Sequence, residues 1–440
     1  MPTSFLPYQP DQEFLLPPSL TEWLPQDHLA YFVSEVIDQL ELSAFYARYE
    51  GDGRRNQPYH PVMMAKVLIY AYASGVFSSR KIARRLHEDV AFRVLAAGNT
   101  PAHRTLCEFR RVHLTELSAL FVQVVRLARE LQLLKLGTIG LDGTKVRANA
   151  SKHKAMSYGR MLEQERKLKE EIAALLARAQ ATDEQEDRQL AEETPEQSLP
   201  EELARREQRL EQIRAAKARL EARQMEADVA AGRSKDDDGN TRGPTGRRCR
   251  RELGVPHSED QENFTDPQSR IMNTQEGFQQ CYNAFAAVDE KSQLIVANAL
   301  HNSAGDNAQL LPLVKATADN TGAQPKGVLA DSGFRSEESF AALEAAGIEA
   351  LVSLGREGKS QPEIDTERLP ATARMRERLD TPEGRARYRR RKVIPEPVFG
   401  WIKHVLGFRR FSLRGLAKAH GEWNLVCLAI NVKRMHALCA

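Results

Sequence analysis

The chain has 440 residues, of which 41% are hydrophobic and 28% charged. At roughly 150 residues per domain, that length predicts two to three units with sizeable cores and excludes a collagen-like or wholly disordered chain. No run approaches the ~18 consecutive apolar residues that span a bilayer, and 63 Lys and Arg against 60 Asp and Glu leave a net charge of +3. The opening MPTSFLPYQPDQEFLLPP lacks a basic start followed by an apolar run, so residues 1–20 are expected to be an extended arm, not a secretory signal. Five cysteines are scattered and never form a CxxC pair, which points to a reducing cytosol.

Residues 21–135 read as helical. VMMAKVLIYAYASG (62–75) is apolar and stops at Gly75, Ser78-Ser79 offers a cap for RKIARRLHEDV, and Thr100-Pro101 opens AHRTLCEFRRVH. Short helices with tight turns and basic faces fit a helix-turn-helix-like module or, equally, a small bundle with solvated basic faces. One more amphipathic helix covers about 114–135. GTIGLDGTKVRANAS (137–151) then reads as a central strand, with Ile139, Leu141 and Val146 apolar.

Residues 152–255 interrupt this pattern. Leu168, Ile172 and Leu175, and later Leu210, Ile213 and Leu220, recur at helical spacings in Glu/Arg-rich runs, which predicts an antiparallel coiled-coil hairpin. A polar linker follows, with Arg242, Arg247, Arg248, Arg250 and Arg251 close together. From 256 to 440 the order is hairpin (281–301), helix, strand (327–334), helix, strand (348–354), a polar irregular stretch (355–384), a basic run (385–392) and two helices. Joined to 136–151, this order predicts an α+β, ribonuclease-H-like mixed sheet with flanking helices, split by the coiled-coil insertion and preceded by the helical domain.

Acidic groups on buried strands cost desolvation energy unless something compensates. Asp142 lies inside an apolar strand, Asp331 ends another before Ser332-Gly333, and Glu396 starts a helix between Pro395 and Pro397. Taken singly, they fit a turn pair, a capping turn and a helix-dipole partner. Together they could converge at one sheet end and hold divalent cations through hard oxygen ligands.

The segments TIGLDGTKVRANAS, GFQQCYNAFAAVDEKSQLIVA, VLADSGFRS, IPEPVFGWIK and GFRRFSLRGLAKAHGEWNLVCLAINVKRM, with YHPVMMAKVLIYAYASGVFSSRKIARRL near the start, resemble bacterial insertion-sequence transposases of the DDE class. The resemblance implies a catalytic and metal-binding triad of Asp142, Asp331 and Glu396, using two Mg²⁺ ions or Mn²⁺, that cleaves DNA at element ends and joins it to a target. A Tyr-x2-Arg-x3-Glu-x6-Lys signature of the family falls on Tyr388, Arg391, Glu396 and Lys403. Its Arg-to-Glu gap is one residue longer here, so Lys392 rivals Arg391. Lys403 is expected to act on a phosphate beside the metals. The implied partners are double-stranded DNA, both terminal inverted repeats and target, and a second copy of the chain in a paired-end complex, within the bacterial cytoplasm at the nucleoid and not at a membrane. Lys81, Arg84, Arg85, Arg104, Arg110, Arg111, Arg409, Arg410 and Arg414 join Tyr388, Arg391 and Lys392 as expected DNA contacts, with Arg104 the candidate for reading bases. A nuclease without strand transfer, or a non-catalytic DNA-binding protein on the same scaffold, are the alternatives.

Overall fold

The computed structural model describes residues 19–49, 57–186, 199–236, 238–355 and 364–439. Most of the expected N-terminal arm therefore lies outside the described residues. The N-terminal region is helical: α1 (Leu29–Asp38), α2 (Ser43–Tyr46), α3 (Pro61–Ala73), α4 (Ser79–Glu88), α5 (Val90–Leu95), α6 (His103–Val112) and α7 (Leu114–Glu130). Helix α3 starts on Pro61, whose missing N–H is no loss there, and is buried on nearly every face. Gly75 follows it with φ +77, where a Cβ would stand 2.9 Å from the Leu406 carbonyl oxygen. In α4, Ile82 and Leu86 face inward, while Arg84–Glu88 and Arg85–Asp89 pair along the exposed side. Helix α6 begins at His103, later than the Thr100-Pro101 signal predicts, with Ala102 as its cap.

The sheet is built from β1 (Thr138–Arg147), β6 (Arg270–Thr274), β7 (Gly277–Asp289), β8 (Ile295–His301), β9 (Gly327–Ala330) and β10 (Glu349–Val352). Its order is β10-β9-β1-β7-β6, with β8 also on β7. Strand β1 is antiparallel to β7 and parallel to β9, which is parallel to β10. A three-strand meander followed by two parallel strands is the ribonuclease-H-like arrangement, and the α+β fold expected from the sequence stands. Strand β6 was not foreseen, because RIMNT is short and only partly apolar.

Helices α10 (Leu310–Thr321), α11 (Glu337–Ala345), α12 (Pro370–Asp380), α13 (Pro382–Arg389), α14 (Pro395–Gly400) and α15 (Leu416–Cys439) complete this part. The stretch read as irregular thus holds α12 and the start of α13, which runs on into the basic run; each is opened by a proline, with the Thr381 hydroxyl capping the second. Helix α15 docks on the sheet through polar contacts as well as apolar ones. The Asn431 amide brackets Ile295, accepting from its N–H at 2.8 Å and donating to its carbonyl at 2.7 Å, and Trp423 Nε1 donates to the Phe285 carbonyl at 3.1 Å.

One hydrophobic cluster runs through α1, α3, α7, the sheet and α15, across the boundary expected at 135/136. Across this junction Arg110 donates to the Tyr72 hydroxyl at 2.8 Å, and Tyr72 donates to Glu422 at 3.0 Å. Glu422 also accepts from the Ser412 and Leu413 N–H groups at 2.8 and 3.0 Å. Arg110 is 3% exposed and Glu422 fully buried.

The insertion folds as the expected hairpin of α8 (Tyr158–Glu186) and α9 (Leu199–Ala230), rooted in the ribbon formed by β2 (Ala155–Ser157) and β5 (Gln261–Asn263). Its antiparallel sense shows in Arg206–Glu171 and Arg214–Glu165, where rising numbers on α9 meet falling ones on α8. Met161, Leu168, Leu210, Ile213, Ala216 and Leu220 form a separate core within it. The basic linker is folded as well: β3 (Ser234–Lys235) pairs with β4 (Thr241–Arg242), and Asp228 ties it down by accepting from Arg251, Arg233 and the Gly254 N–H.

Candidate functional site

A basin of about 800 Å³ opens beside the middle of β1, with Asp142, Asp306, Glu396 and Lys403 in its wall. Asp142-Gly143 is not a turn: both are mid-strand, opposite Ala286 and Phe285. Two glycines fix the strand's surroundings. A Cβ at Gly143 would lie 2.7 Å from the Phe285 ring, and one at Gly140 would lie 2.8 Å from both Ile394 and Pro395. The bare backbone at Gly140 lets the start of α14 sit directly on β1, and that start carries Glu396 in its first turn. Asp331 leaves the end of β9 and caps the following short turn, accepting from the Gly333 N–H at 2.9 Å.

The acids act on one another. Burial pushes the Asp142 carboxyl up to about 6; the Gly143 N–H and the Arg391 charge pull it down, while Asp331 and Glu396 add to the rise. Burial likewise raises Asp306, helped by Asp331 and opposed by its bond from Asn283. Asp306 is a functional candidate that the sequence reading missed. Its Oδ1 accepts from Asn283 Nδ2 at 2.7 Å, and a Cβ on Gly333 would fall 2.7 Å from its Oδ2 and 3.0 Å from Asp331 Oδ1. Glycine at 333 therefore leaves the two carboxylates side by side. The donor set is carboxylate oxygen, which suits a hard divalent cation. Among the described residues, no three Asp, Glu, His or Cys side chains stand close enough together to hold a metal ion as they are placed.

Cations complete the basin. Lys403 Nζ donates to the Lys145 carbonyl at 2.9 Å, and burial lowers its pKa, against which the Asp142 charge acts. Glu396 and Lys403 reach one wall although α14 ends at Gly400, because Trp401–Val405 continues it as a wider π-turn. The Arg391 charge reaches Asp142 and lowers its pKa. The Arg391 guanidinium stands 5.9 Å from the ring centre of Tyr388, which itself packs on the core. Lys392 lies on the exposed side of its short helical turn. Segment 409–411 runs along the end of β1, the Phe411 N–H meeting the Arg147 carbonyl at 2.9 Å, and so brings Arg409 to the basin rim. Arg410 and Arg414 both anchor on Asn149.

The remaining expected DNA contacts lie on the helical region. Lys81, Arg84 and Arg85 project from α4, and Arg104 and Arg111 from α6, all exposed. Arg110 is different: it points into the core and is held by Tyr72, the Phe77 carbonyl and Glu422. It is a structural residue and is withdrawn from the list of DNA contacts.

Two family profiles match the chain. One, described as a transposase DDE domain, covers residues 249–432, and one described as a transposase domain (DUF772) covers residues 18–112. Neither the curated proteins nor the solved structures give a match.

Proposed function

Since these two domains place the chain among the insertion-sequence transposases of the DDE class, we propose that it cleaves DNA at the ends of its element and joins the freed ends to a target. Transposases of this class act on DNA and typically use divalent metal; the finer steps here are our reading. Asp142, Asp331 and Glu396 would hold the cations, and Asp306 stands next to them. When bound, such ions neutralise phosphodiester charge and lower the pKa of water.

The chain's own groups do the rest. Lys403, its ammonium fixed on the Lys145 carbonyl, offers a proton to a non-bridging phosphate oxygen. Arg409 extends the positive wall along the DNA backbone, and Arg391 limits the repulsion that Asp142 feels from its acidic neighbours. In the first displacement water adds to phosphorus at the element end, and the bond to the 3′-oxygen breaks. In the second, that 3′-oxygen adds to a target phosphorus, and a target 3′-oxygen leaves. Both are in-line reactions with the same charge build-up, so one set of fixed groups serves both.

The observation that carries this reading is that the charges of Asp331 and Glu396 both act on the half-buried Asp142, beside a basin whose lining also holds Lys145, Arg147, Lys403 and Arg409. Incubation with a labelled element end and Mg²⁺ tests it. Asp142→Ala, Asp331→Ala and Glu396→Ala should each lose nicking and keep end binding. Wild-type nicking by any one of them would sink the triad. Nicking by the wild-type protein without joined product would indicate a nuclease, and a shifted band without nicking a binding protein only. The pairing of two ends calls for a second copy of the chain. Among the described residues, no helix is long and apolar enough to cross a membrane.

A further inference from the structure

The helical region holds a second concavity, of about 690 Å³, between the segment at residues 57–59 and helix α6. Its wall is aromatic. Phe109 and His113 lie 4.5 Å apart between ring centres, and Tyr49 stacks on His113 at 5.8 Å. Tyr59, half-buried against the core, lines another part of the cleft. His113 is 1% exposed. Its Nε2 meets the Tyr49 hydroxyl at 3.1 Å. Its Nδ1 faces the Glu116 carboxylate at 3.5 Å, away from the cleft.

The rim is cationic. Arg48 and Arg104 are exposed at the mouth, and the acid among the lining residues, Glu108, is already closed by Arg111 at 2.9 Å. This cleft therefore differs from the basin beside β1, whose lining sets carboxylates among its cations. Flat ring faces beside guanidinium groups fit a base and its phosphate: bases stack on aromatic side chains whatever their sequence, and arginines take the backbone charge. A fully stacked duplex presents no base face to such a cleft.

We propose that this cleft takes one unstacked DNA base, held against the partly exposed rings of Tyr49 and Tyr59, with its phosphate on Arg48 and Arg104. The proposal rests on the reading that DNA is the partner, and it names a second place where that DNA is gripped. The full-length protein is titrated with three probes: a short oligo-dT single strand, a duplex with one unpaired thymine, and the same duplex fully paired. Free thymidine monophosphate serves as competitor. Tyr59→Ala should weaken binding of the first two probes by roughly tenfold and leave the paired duplex nearly unchanged. Arg48→Ala, on an exposed residue outside the expected duplex contacts, should weaken the same two and lower the slope of log affinity against log salt by about one phosphate. Competition by thymidine monophosphate would place recognition in the single nucleotide; its failure would place it in the strand. Wild-type affinity of both variants for the unpaired probes overturns the proposal, as does equal weakening for all three DNAs. If the wild-type protein binds none of the three, the DNA reading itself fails.

Discussion

Glu422 and Asp142 are both carboxylates set into the same core, and they are treated in opposite ways. Glu422 is fully buried, yet its oxygens are met by Tyr72, the Ser412 hydroxyl and two backbone N–H groups, with Arg110 alongside. Asp142 has one backbone N–H, at 2.8 Å, and its acidic neighbours raise it further. The first arrangement joins the helical region to the sheet. The second leaves repulsion that only a cation or a proton can relieve. Buried charge by itself says nothing about role; what matters is whether the surroundings finish the job.

Breaking the junction should have the largest effect. Arg110→Ala leaves Glu422 buried without its cation and should destabilise the fold by about 3–5 kcal/mol, read by chemical denaturation. An unchanged midpoint would mean the pair is dispensable. Breaking the basin comes next. Asp142→Ala should cut nicking by roughly a hundred- to a thousandfold with little change in the denaturation midpoint.

Asp142→Asn sharpens the contrast, because it keeps an oxygen for the Gly143 N–H and removes the charge. In chelator at neutral pH it should stabilise the protein by about 1–2 kcal/mol, fewer than the shift allows at ~1.4 kcal/mol per pH unit, because the site is partly solvated. The sign follows from the raised carboxyl: its ionised form costs the fold, and the gain fades as pH falls from about 6 toward 4.

His420 should show the reverse trend. Burial lowers its pKa, and the nearby His301 adds to this. The unfolded chain then takes up the proton first, so stability is complete above the ordinary histidine range and falls as pH drops below it. His420→Asn should flatten that acid limb of the melting temperature; an identical limb would exclude His420 as its source. Smallest of all, Lys403→Ala should slow nicking by about tenfold, the size of one charge-assisted contact to phosphate.

Most of the scaffold was legible because local signals and burial agreed. Apolar runs punctuated by Asp-Gly, Asp-Ser-Gly and Pro-Glu-Pro placed Asp142, Asp331 and Glu396 on elements that meet in space. Asp306 was not legible, since it stands in a polar loop and becomes part of the basin only through Asn283 on β7 and the missing side chain of Gly333. Arg110 was misread although the signal existed. It stands four residues after Leu106 and next to Phe109, on the buried stripe of α6, while its neighbour Arg111 faces water. Charge suggested the surface, and periodicity was the better guide. Helices α12 and α13 carry few apolar residues, so only Pro370 and Thr381-Pro382 announced them.

The ribbon of β2 and β5 has a mechanical consequence. It holds both ends of the insertion at one point, with Ser157 opposite Gln261. Helix α9 has 32 residues, about 48 Å at 1.5 Å per residue, the length of roughly fourteen base pairs at 3.4 Å each. The insertion is therefore a rod mounted at its foot, and its mounting is short: β1 ends at Arg147, and the chain reaches the ribbon at Ala155. The strand that carries the first acid of the basin also carries the rod, so a load at the tip has a direct covalent path to the site.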